Sequence, residues 1–519
     1  MCGALALFAG SVTACDGVFD VEDPQAFGDE DLNNPIILKN VADGAEGLLQ
    51  QAYDDFVTVT ALLGDEIEST STWIDWEDIS EGRLRGDWAT AGSFSGPQDQ
   101  LLRARFAAQS AAERITNVLG AEANTSPLLA QMKWVDGFAD VVIGMGYCEG
   151  PLTAGGPRQP NTEFFKQGVT KLTEALTLAN SIADPVAKAN WINTITASRA
   201  RANLFAGNYA AALTDALAVP AGFVKNAVYV EAAAVQQSNT GNQFHQNRNR
   251  SGGLRRMYHN RVLGTFDAAA YKVGYLADWF DPTKADPRMA VNRKAGELGV
   301  NNRFAYFGIQ KYANRGAPQP MLTSREMNLI AAEVYFRQGD YANEAAKLNI
   351  DRVANGLAPI PVPTSAAEAQ NALLNERMAV LFVEGHRALD LHRFGLVDDV
   401  LGPGRNTLLP LSRTEILANE SIPEGEAACP SISSGWSRTT GGGASARARP
   451  HSTLAGARDA PSGRGRTGDF RQRNGHHKRS EGRWHLSGQM MWYPRSTTRG
   501  ASHGATSLFR PVARRRGCS

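Results

Sequence analysis

The sequence predicts an all-α protein, and three observations support this fold class. Through most of its first 420 residues, apolar side chains recur at steps of three and four, the period of an amphipathic helix. The period of two that marks strands is scarce. A helix–turn–helix pattern occurs twice, so helical hairpins are the expected unit of structure.

The net charge of zero is the sum of two unlike segments. The chain holds 53 basic and 53 acidic residues. Residues 430–519 contain 17 basic and 3 acidic ones, which leaves 36 basic and 50 acidic residues in residues 1–429. We therefore expect no nucleic-acid partner for this acidic body, because a polyanion would be repelled. With 43% hydrophobic residues, the chain can form a large core.

A bacterial lipoprotein signal is predicted at the N-terminus. Residues 3–14 form an apolar run too short to span a bilayer, and the tripeptide VTA before Cys15 resembles a lipobox. Residues 1–14 would be the signal peptide, and Cys15 the lipidated residue that anchors the mature protein. No Lys or Arg precedes the apolar run, so the true start codon is expected upstream.

Apolar periodicity places the helices along the body. The first is predicted at about 36–63, and residues 64–96 follow as an irregular excursion without helical period. The next helix is predicted to start at Gly96-Pro97, since proline suits the first helical position, and to end at Gly120. Further helices are predicted at 127–147, 161–182, 185–206, 208–218, 322–338, 340–355 and 366–395. Residues 220–320 are predicted to be loop-rich.

The repeated pattern lies where two helices end. Residues 204–210 (LFAGNYA) match residues 336–342 (FRQGDYA) in register. Gly207 and Gly339 suit the left-handed conformation that ends a helix, and Asn208 and Asp340 suit the cap of the next helix. The pattern resembles tetratricopeptide (TPR) units, which are stacked helix pairs. Because only two copies are clear, hairpins packed around insertions are expected rather than a regular array.

The most specific segment is NERMAVLFVEGHRALDLHRFG, residues 375–395. It resembles the final-helix signature of the SusD/RagB family of outer-membrane nutrient-binding lipoproteins, although Val380 stands at a usually acidic position. Residues 325–333 and 409–419 are similar to two further family segments. The positions that carry the signature include Glu384, Gly385, Arg387, Asp390 and Arg393.

The resemblance covers roughly residues 15–422. It implies a SusD-like N-terminal part at 15–320, which combines TPR-like helices with loop-rich ligand-binding insertions, and a helical C-terminal part at 321–425. Family members lie on the outer leaflet beside a SusC-like TonB-dependent transporter, and bind an oligomeric nutrient, often a glycan, without cleaving it. We therefore expect a lipid-anchored outer-membrane protein that faces the cell exterior, is not an enzyme and needs no cofactor.

On the residues alone, the signature reads as structural. Its charges alternate in sign every third residue, which is typical of an exposed or interface helix. His386 and Asp390 have a spacing that suits a metal, but no clear third ligand accompanies them, so no metal site is predicted. His392 lies on the apolar side and is predicted to be a hydrogen-bonded core histidine.

Sugar binding requires aromatic platforms and polar side chains on loops held by a rigid scaffold. The sequence offers both in its two irregular regions. The candidate ligand-binding residues are Trp73, Trp76, Trp88, Tyr258, Tyr275 and Trp279. The alternative for each aromatic is that it packs its loop onto the helices.

Two other function classes stay open. An all-α glycoside hydrolase or lyase would need paired carboxylates, and six acidic residues crowd the excursion: Asp65, Glu66, Glu68, Asp75, Glu77 and Asp78. The second alternative is a TPR-type protein-interaction scaffold. The five cysteines show neither a disulfide framework nor a zinc spacing.

Residues 430–519 are predicted to be a disordered tail. They contain few large apolar residues and are rich in Arg, Gly and Ser, so they cannot form a core. Of their 17 basic residues 16 are Arg, a bias expected when GC-rich DNA is translated in the wrong frame. We expect a frameshift or readthrough shortly before this tail.

Overall fold

The structure is a computed structural model. It describes residues 30–84, 92–230, 242, 244, 251–255, 286–289, 291–292, 297–304 and 306–423, with the backbone alone for 92–96 and 292. The predicted signal peptide, Cys15, the start of the chain and the Arg-rich tail lie outside these residues. So do Trp88, Tyr258, Tyr275 and Trp279.

The described residues are mainly helical, which confirms the predicted fold class. The helices are α1 (Leu38–Leu63), α2 (Ile74–Ser80), α3 (Gly92–Leu119), α4 (Pro127–Gly146), α5 (Asn161–Ser181), α6 (Pro185–Phe205), α7 (Tyr209–Ala218), α8 (Ser324–Gln338), α9 (Tyr341–Ala354), α10 (Ala366–Val380), α11 (Arg387–Arg393), α12 (Val397–Leu401) and α13 (Arg413–Ala418). Short 3₁₀ helices occur at Asp31–Asn33 and Gly120–Thr125.

The strands among the described residues are short and form antiparallel pairs. β1 (Ile67–Ser69) pairs with β5 (Gly252–Leu254), β2 (Glu149–Pro151) with β3 (Arg158–Pro160), β4 (Val224–Ala227) with β8 (Gln319–Thr323), and β6 (Val291–Asn292) with β7 (Gly308–Ile309). They fasten loops to each other, while the helices form the core.

Most predicted helix boundaries agree with the structure to within two residues. Capping explains several starts: Ser126, Asp184 and Thr323 each accept a backbone N–H from the first turn of the helix that follows. The start of α3 is different, because the helix begins at Gly92 and contains Pro97. The prediction that Pro97 opens this helix is therefore wrong.

Consecutive helices pack against each other in a continuous series. Contacts join α3 to α4, α4 to α5, α5 to α6, α6 to α7, α7 to α8 and α8 to α9. The main core lies between them, and its largest fully buried aromatic residues are Trp134, Tyr53, Tyr147, Phe56, Phe138, Phe164, Phe165, Phe307 and Phe382. The division of the body near residue 320 stays a prediction.

The two predicted hairpin turns are present, at α6–α7 and at α8–α9. Gly207 and Gly339 both have positive φ, at 82° and 75°, as the repeat predicts. Asp340 caps α9 by accepting from the Asn343 N–H at 3.1 Å. Asn208 makes no such cap, so the predicted capping role is confirmed for Asp340 and wrong for Asn208.

The predicted final helix, 366–395, is broken in two. It stops at Val380, turns through residues 381–386 and resumes as α11 at Arg387. Val383 and Gly385 take positive φ values of 51° and 84°, which no α-helix allows. A continuous helical face through this segment is therefore ruled out.

Long side chains from other elements satisfy the carbonyls exposed by this break. Lys311 Nζ donates to the Phe382 carbonyl at 2.7 Å, and the Tyr312 hydroxyl to the Val383 carbonyl at 3.1 Å. The Tyr53 hydroxyl of α1 donates to the next carbonyl, that of Glu384, at 3.2 Å. Backbone strain in such a turn costs about 1–3 kcal/mol for each strained residue, and the turn persists because these hydrogen bonds from other elements hold it in place.

No helix in the described part of the chain is long and apolar enough to cross a membrane. Cys148, which follows α4, is disulfide-bonded, a bond that the cysteine spacing gave no sign of. The other four cysteines lie outside the described residues.

Candidate ligand-binding surface

The signature charges lie in the protein interior. Glu384, Arg387, Asp390 and Arg393 are each at most 7% exposed, so of the two predicted alternatives, an exposed or an interface helix, the exposed one is wrong. Each contacts an opposite charge on another segment, and Arg393 also contacts Asp390 within α11. The physical reason is the break before α11, which turns these side chains inward.

Two contacts of the signature segment hold the start of the tryptophan-rich excursion. Arg387 donates to both carboxylate oxygens of Asp65, at 2.7 and 2.9 Å. The Val383 N–H donates to Glu66 Oε1 at 2.6 Å. Burial raises the pKa of Glu66 to about 8. The signature therefore positions residues 65–69, from which the candidate loop projects.

The remaining signature charges join the two hairpins. Arg393 contacts Glu333 of α8 and donates to Asp390 at 2.9 Å. Arg337 of α8 also donates to Glu333, at 2.7 Å. Burial opposes ionisation of Glu333, but Arg393 and then Arg337 hold its pKa well below the usual range.

Aromatic rings of the first hairpin cover these same arginines. The Arg393 guanidinium lies 5.4 Å from the centre of the Phe205 ring, and the Arg337 guanidinium 4.7 Å from the Tyr209 ring. The tyrosine of the repeated turn thus contacts the next hairpin.

The two histidines of the signature lie in buried or half-buried environments. His386 is 2% exposed, and burial, followed by the charge of Arg201, keeps its pKa well below the ordinary value. Within the described residues, no group of three potential metal ligands comes together. His392 is half-buried, its pKa is lowered to about 4 by burial, and its Nδ1 has no partner among the described residues. Its predicted role as a hydrogen-bonded core histidine is wrong for this nitrogen.

Trp73 and Trp76 have different environments. The structure places them around the start of α2, a short helix where none was predicted. Trp73 is 55% exposed, whereas Trp76 is 8% exposed and packs against Gly252 of β5. Their rings are 5.4 Å apart and nearly perpendicular, at 76°. Trp76 is therefore a buried support, and Trp73 is an exposed platform on it.

Local hydrogen bonds fix the turn that presents Trp73. Its N–H donates to Ser71 Oγ at 3.0 Å, and the Trp76 N–H donates to Asp75 Oδ1 at 2.9 Å. Ile74, the next residue along the chain, is 76% exposed. Two adjacent large apolar side chains thus face solvent on a fixed backbone.

A second loop, residues 297–304, lies against this turn. The Asn301 N–H donates to the Thr70 carbonyl at 3.0 Å, and Arg303 Nη1 contacts Glu77 Oε1 at 2.9 Å. Asn302 has a positive φ of 54°, which asparagine tolerates better than most residues. Amide, guanidinium and carboxylate groups therefore adjoin the exposed indole, and hydroxyl groups of a sugar require such partners. The sequence predicts loops in this region but gives no sign that this one contacts the turn at Trp73.

The six crowded carboxylates do not form an isolated pair. Asp65 and Glu66 are bound to the signature segment as described, and Asp78 contacts Arg83 at 2.5 Å. Glu77 contacts Arg303. The contacts of these four carboxylates are those of residues that hold a loop in place.

No family model matches the sequence, and no curated protein matches it. Several solved structures match the fold. A SusD superfamily protein of Bacteroides vulgatus has a TM-score of 0.54 at 16% identity over 75% of this chain and 99% of its own. One from Bacteroides thetaiotaomicron has a TM-score of 0.52 at 15% identity over 76% and 98%.

A third structure, also from Bacteroides vulgatus, belongs to a protein whose name proposes sugar binding. Its TM-score is 0.53 at 16% identity, over 74% of this chain and 97% of its own. The chain is thus an all-α protein of helical hairpins with an exposed loop surface. More particularly, it has the fold of the SusD superfamily, which confirms the fold inferred from residues 375–395.

Proposed function

We propose that this protein is a surface-exposed outer-membrane lipoprotein that binds an oligomeric nutrient, a glycan, and passes it to a SusC-like TonB-dependent transporter. The observation that carries the proposal is the exposed Trp73 platform, supported by the buried Trp76 and bordered by Arg303 and Glu77. An indole face suits the apolar face of a sugar ring, and charged or amide groups suit its hydroxyls. The SusD fold and the sugar-binding name of one structural relative support the same function.

The direct test is a glycan array probed with the full chain and with Trp73→Ala. A glycan that binds the wild type and loses about tenfold or more in affinity in the variant supports the proposal, since base stacking on aromatic side chains, a comparable contact, is worth about 1–3 kcal/mol. The exposed control is Ile74→Ala, which keeps the indole. Equal binding by Trp73→Ala and wild type would discard this surface.

The same incubation distinguishes binding from cleavage. New reducing ends released from a bound polysaccharide would favour the hydrolase or lyase alternative over the binding function. No contact among the described residues favours that alternative. Three of the candidate carboxylates, those of Asp65, Glu66 and Asp78, accept hydrogen bonds from Arg387, Val383 and Arg83.

The membrane anchor and the transporter partner need their own experiment. Metabolic labelling with a fatty acid should label the wild-type protein and not Cys15→Ala. Affinity purification from detergent-solubilised outer membranes should recover a TonB-dependent transporter with the wild type. Absence of label would refute the anchor, and absence of a transporter would refute the partner.

A further inference from the structure

Two arginines meet at the end of α2 that is opposite to Trp73. Arg255 Nη2 donates to the Ser80 carbonyl at 2.9 Å, and Arg405 Nη2 donates to the same oxygen at 2.5 Å. Their two guanidinium groups therefore lie side by side on one acceptor. Arg255 follows β5 and Arg405 lies between α12 and α13, so tertiary structure alone brings them together.

The hydrogen-bonding capacity of this pair exceeds what the described residues use. Each guanidinium has five N–H donors, yet within the described part of the chain Arg255 makes one other side-chain hydrogen bond, to Ser80 Oγ at 3.3 Å. The buried Nε atoms of Arg255 and Arg405 have no acceptor among the described residues. Unpaired donors on buried charged groups are costly.

The charge on the pair is only partly balanced. Arg83 lies nearby, but its guanidinium forms a salt bridge with Asp78 at 2.5 Å. Burial, and after it the charge of Arg255, lowers the pKa of Arg405 to about 10. A bound anion that contacts the guanidinium groups would relieve this repulsion.

The Arg405 side chain is 14% exposed, so solvent reaches this member of the pair. The Glu81 carboxylate, whose side chain is 45% exposed, approaches Arg405 Nη1 to 3.6 Å. This distance is beyond a hydrogen bond, so Glu81 is a weak ion-pair partner. It nevertheless marks a route by which a carboxylate oxygen can approach Arg405.

The arginine pair and the Trp73 platform are close enough along α2 for a single extended ligand to span the distance between them. They lie at opposite ends of α2, whose seven residues span about 10 Å. A guanidinium group can donate two parallel hydrogen bonds to two oxygens of a carboxylate or of a sulfate.

We propose that Arg255 and Arg405 form an anion subsite, and that the nutrient is an acidic oligosaccharide carrying carboxylate or sulfate ester groups. This inference rests on the proposed function, because it names the chemical class of ligand for the same surface. Glu81 competes with the ligand for Arg405, and Arg83 borders the subsite.

The test is calorimetric titration of the full chain with four probes: an oligogalacturonate, a heparin-derived oligosaccharide, a neutral maltooligosaccharide of similar length and inorganic sulfate. We expect an acidic oligosaccharide to bind at least about tenfold more tightly than the neutral one, the effect of roughly one charged hydrogen bond. The galacturonate and heparin arms decide between carboxylate and sulfate ester.

Three variants make the assignment specific. Arg405→Gln should weaken binding of the acidic oligosaccharide about tenfold, whereas Arg103→Gln, which removes an equal charge from an exposed position of α3, should change it less than about twofold. Glu81→Gln should tighten binding, because it removes the competing carboxylate. Because misfolding cannot increase affinity, this variant keeps the test decisive even if Arg405→Gln fails to fold.

The outcomes separate the two proposals. If a neutral glycan binds as tightly as the acidic ones in a Trp73-dependent way, and Arg405→Gln and Glu81→Gln change nothing, the anion subsite is refuted while the proposed function stands. If no probe oligosaccharide and no arrayed glycan binds, whether or not sulfate does, the glycan-binding function itself fails.

Discussion

The signature segment and the Trp73 loop use similar residues in opposite environments. In the signature, Arg387 and Arg393 are buried and contact Asp65 and Glu333. Beside the Trp73 loop, Arg303 of residues 297–304 contacts Glu77 of α2 at the surface. These two side chains are 57% and 39% exposed. Buried pairs of this kind fix one arrangement of the chain, whereas exposed pairs are free to exchange partners with a ligand. The difference separates the residues that specify the fold from those available for binding.

The largest expected effect is on the buried side of this comparison. Arg393→Ala leaves Glu333 with less compensation in the interior and should lower the free energy of unfolding by about 3–5 kcal/mol. Arg337→Ala removes another arginine from the same carboxylate, but its side chain is 20% exposed, so its loss should be clearly smaller. Urea unfolding followed by circular dichroism measures both. Equal losses would show that burial is not the deciding factor.

The next effect is on the backbone of the signature. At Gly385, φ is +84°, and an added Cβ would lie 2.9 Å from the Phe56 ring. Gly385→Ala should therefore cost about 2–4 kcal/mol from strain and overpacking together. Gly339→Ala is the matched control, since φ is +75° there but no atom lies within 4 Å of the added Cβ. Its cost should be near 1 kcal/mol, measured by the same unfolding curves, and identical costs would contradict the close-packing argument.

A smaller effect concerns Glu66, the carboxyl that joins the loop to the signature. Burial raises its pKa in the folded state from 4.5 to about 8, so the folded protein keeps a proton that the unfolded chain releases. Stability is therefore lost as the pH rises from about 4.5 to about 8. Glu66→Gln imitates the protonated form and should remove this loss. The free energy of unfolding of the variant, minus that of the wild type, should be at least about 1 kcal/mol larger at pH 8 than at pH 5. A constant difference between the two unfolding free energies across this range would rule out the linkage.

The smallest effect on stability is expected at the exposed platform. Trp73→Ala should change the free energy of unfolding by less than about 0.5 kcal/mol, while abolishing much of the glycan binding. Trp76→Ala, in contrast, should cost about 3–5 kcal/mol, because that ring is buried. Thermal unfolding beside glycan titration gives both values. If Trp73→Ala unfolds as easily as Trp76→Ala, Trp73 is part of the core and not a platform.

The candidate site was only partly predictable. The sequence singled out Trp73 and Trp76, because tryptophans are conspicuous in a polar excursion, but gave no means to tell the platform from its support. It missed Asn301 and Arg303, which lie more than 200 residues away and carry no periodic signal. It also missed the pairing of Arg255 with Arg405, because two isolated arginines have no pattern along the chain.

The sequence by itself determined the all-α class, most helix boundaries and the two hairpin turns at Gly207 and Gly339. These depend on local properties: apolar period, capping and the freedom of glycine at positive φ. Only the tertiary structure decided that the signature helix breaks at residues 381–386. The break is stable because Lys311, Tyr312 and Tyr53 arrive from distant elements to bond three successive carbonyls, and a helical pattern of charges carries no information about such partners.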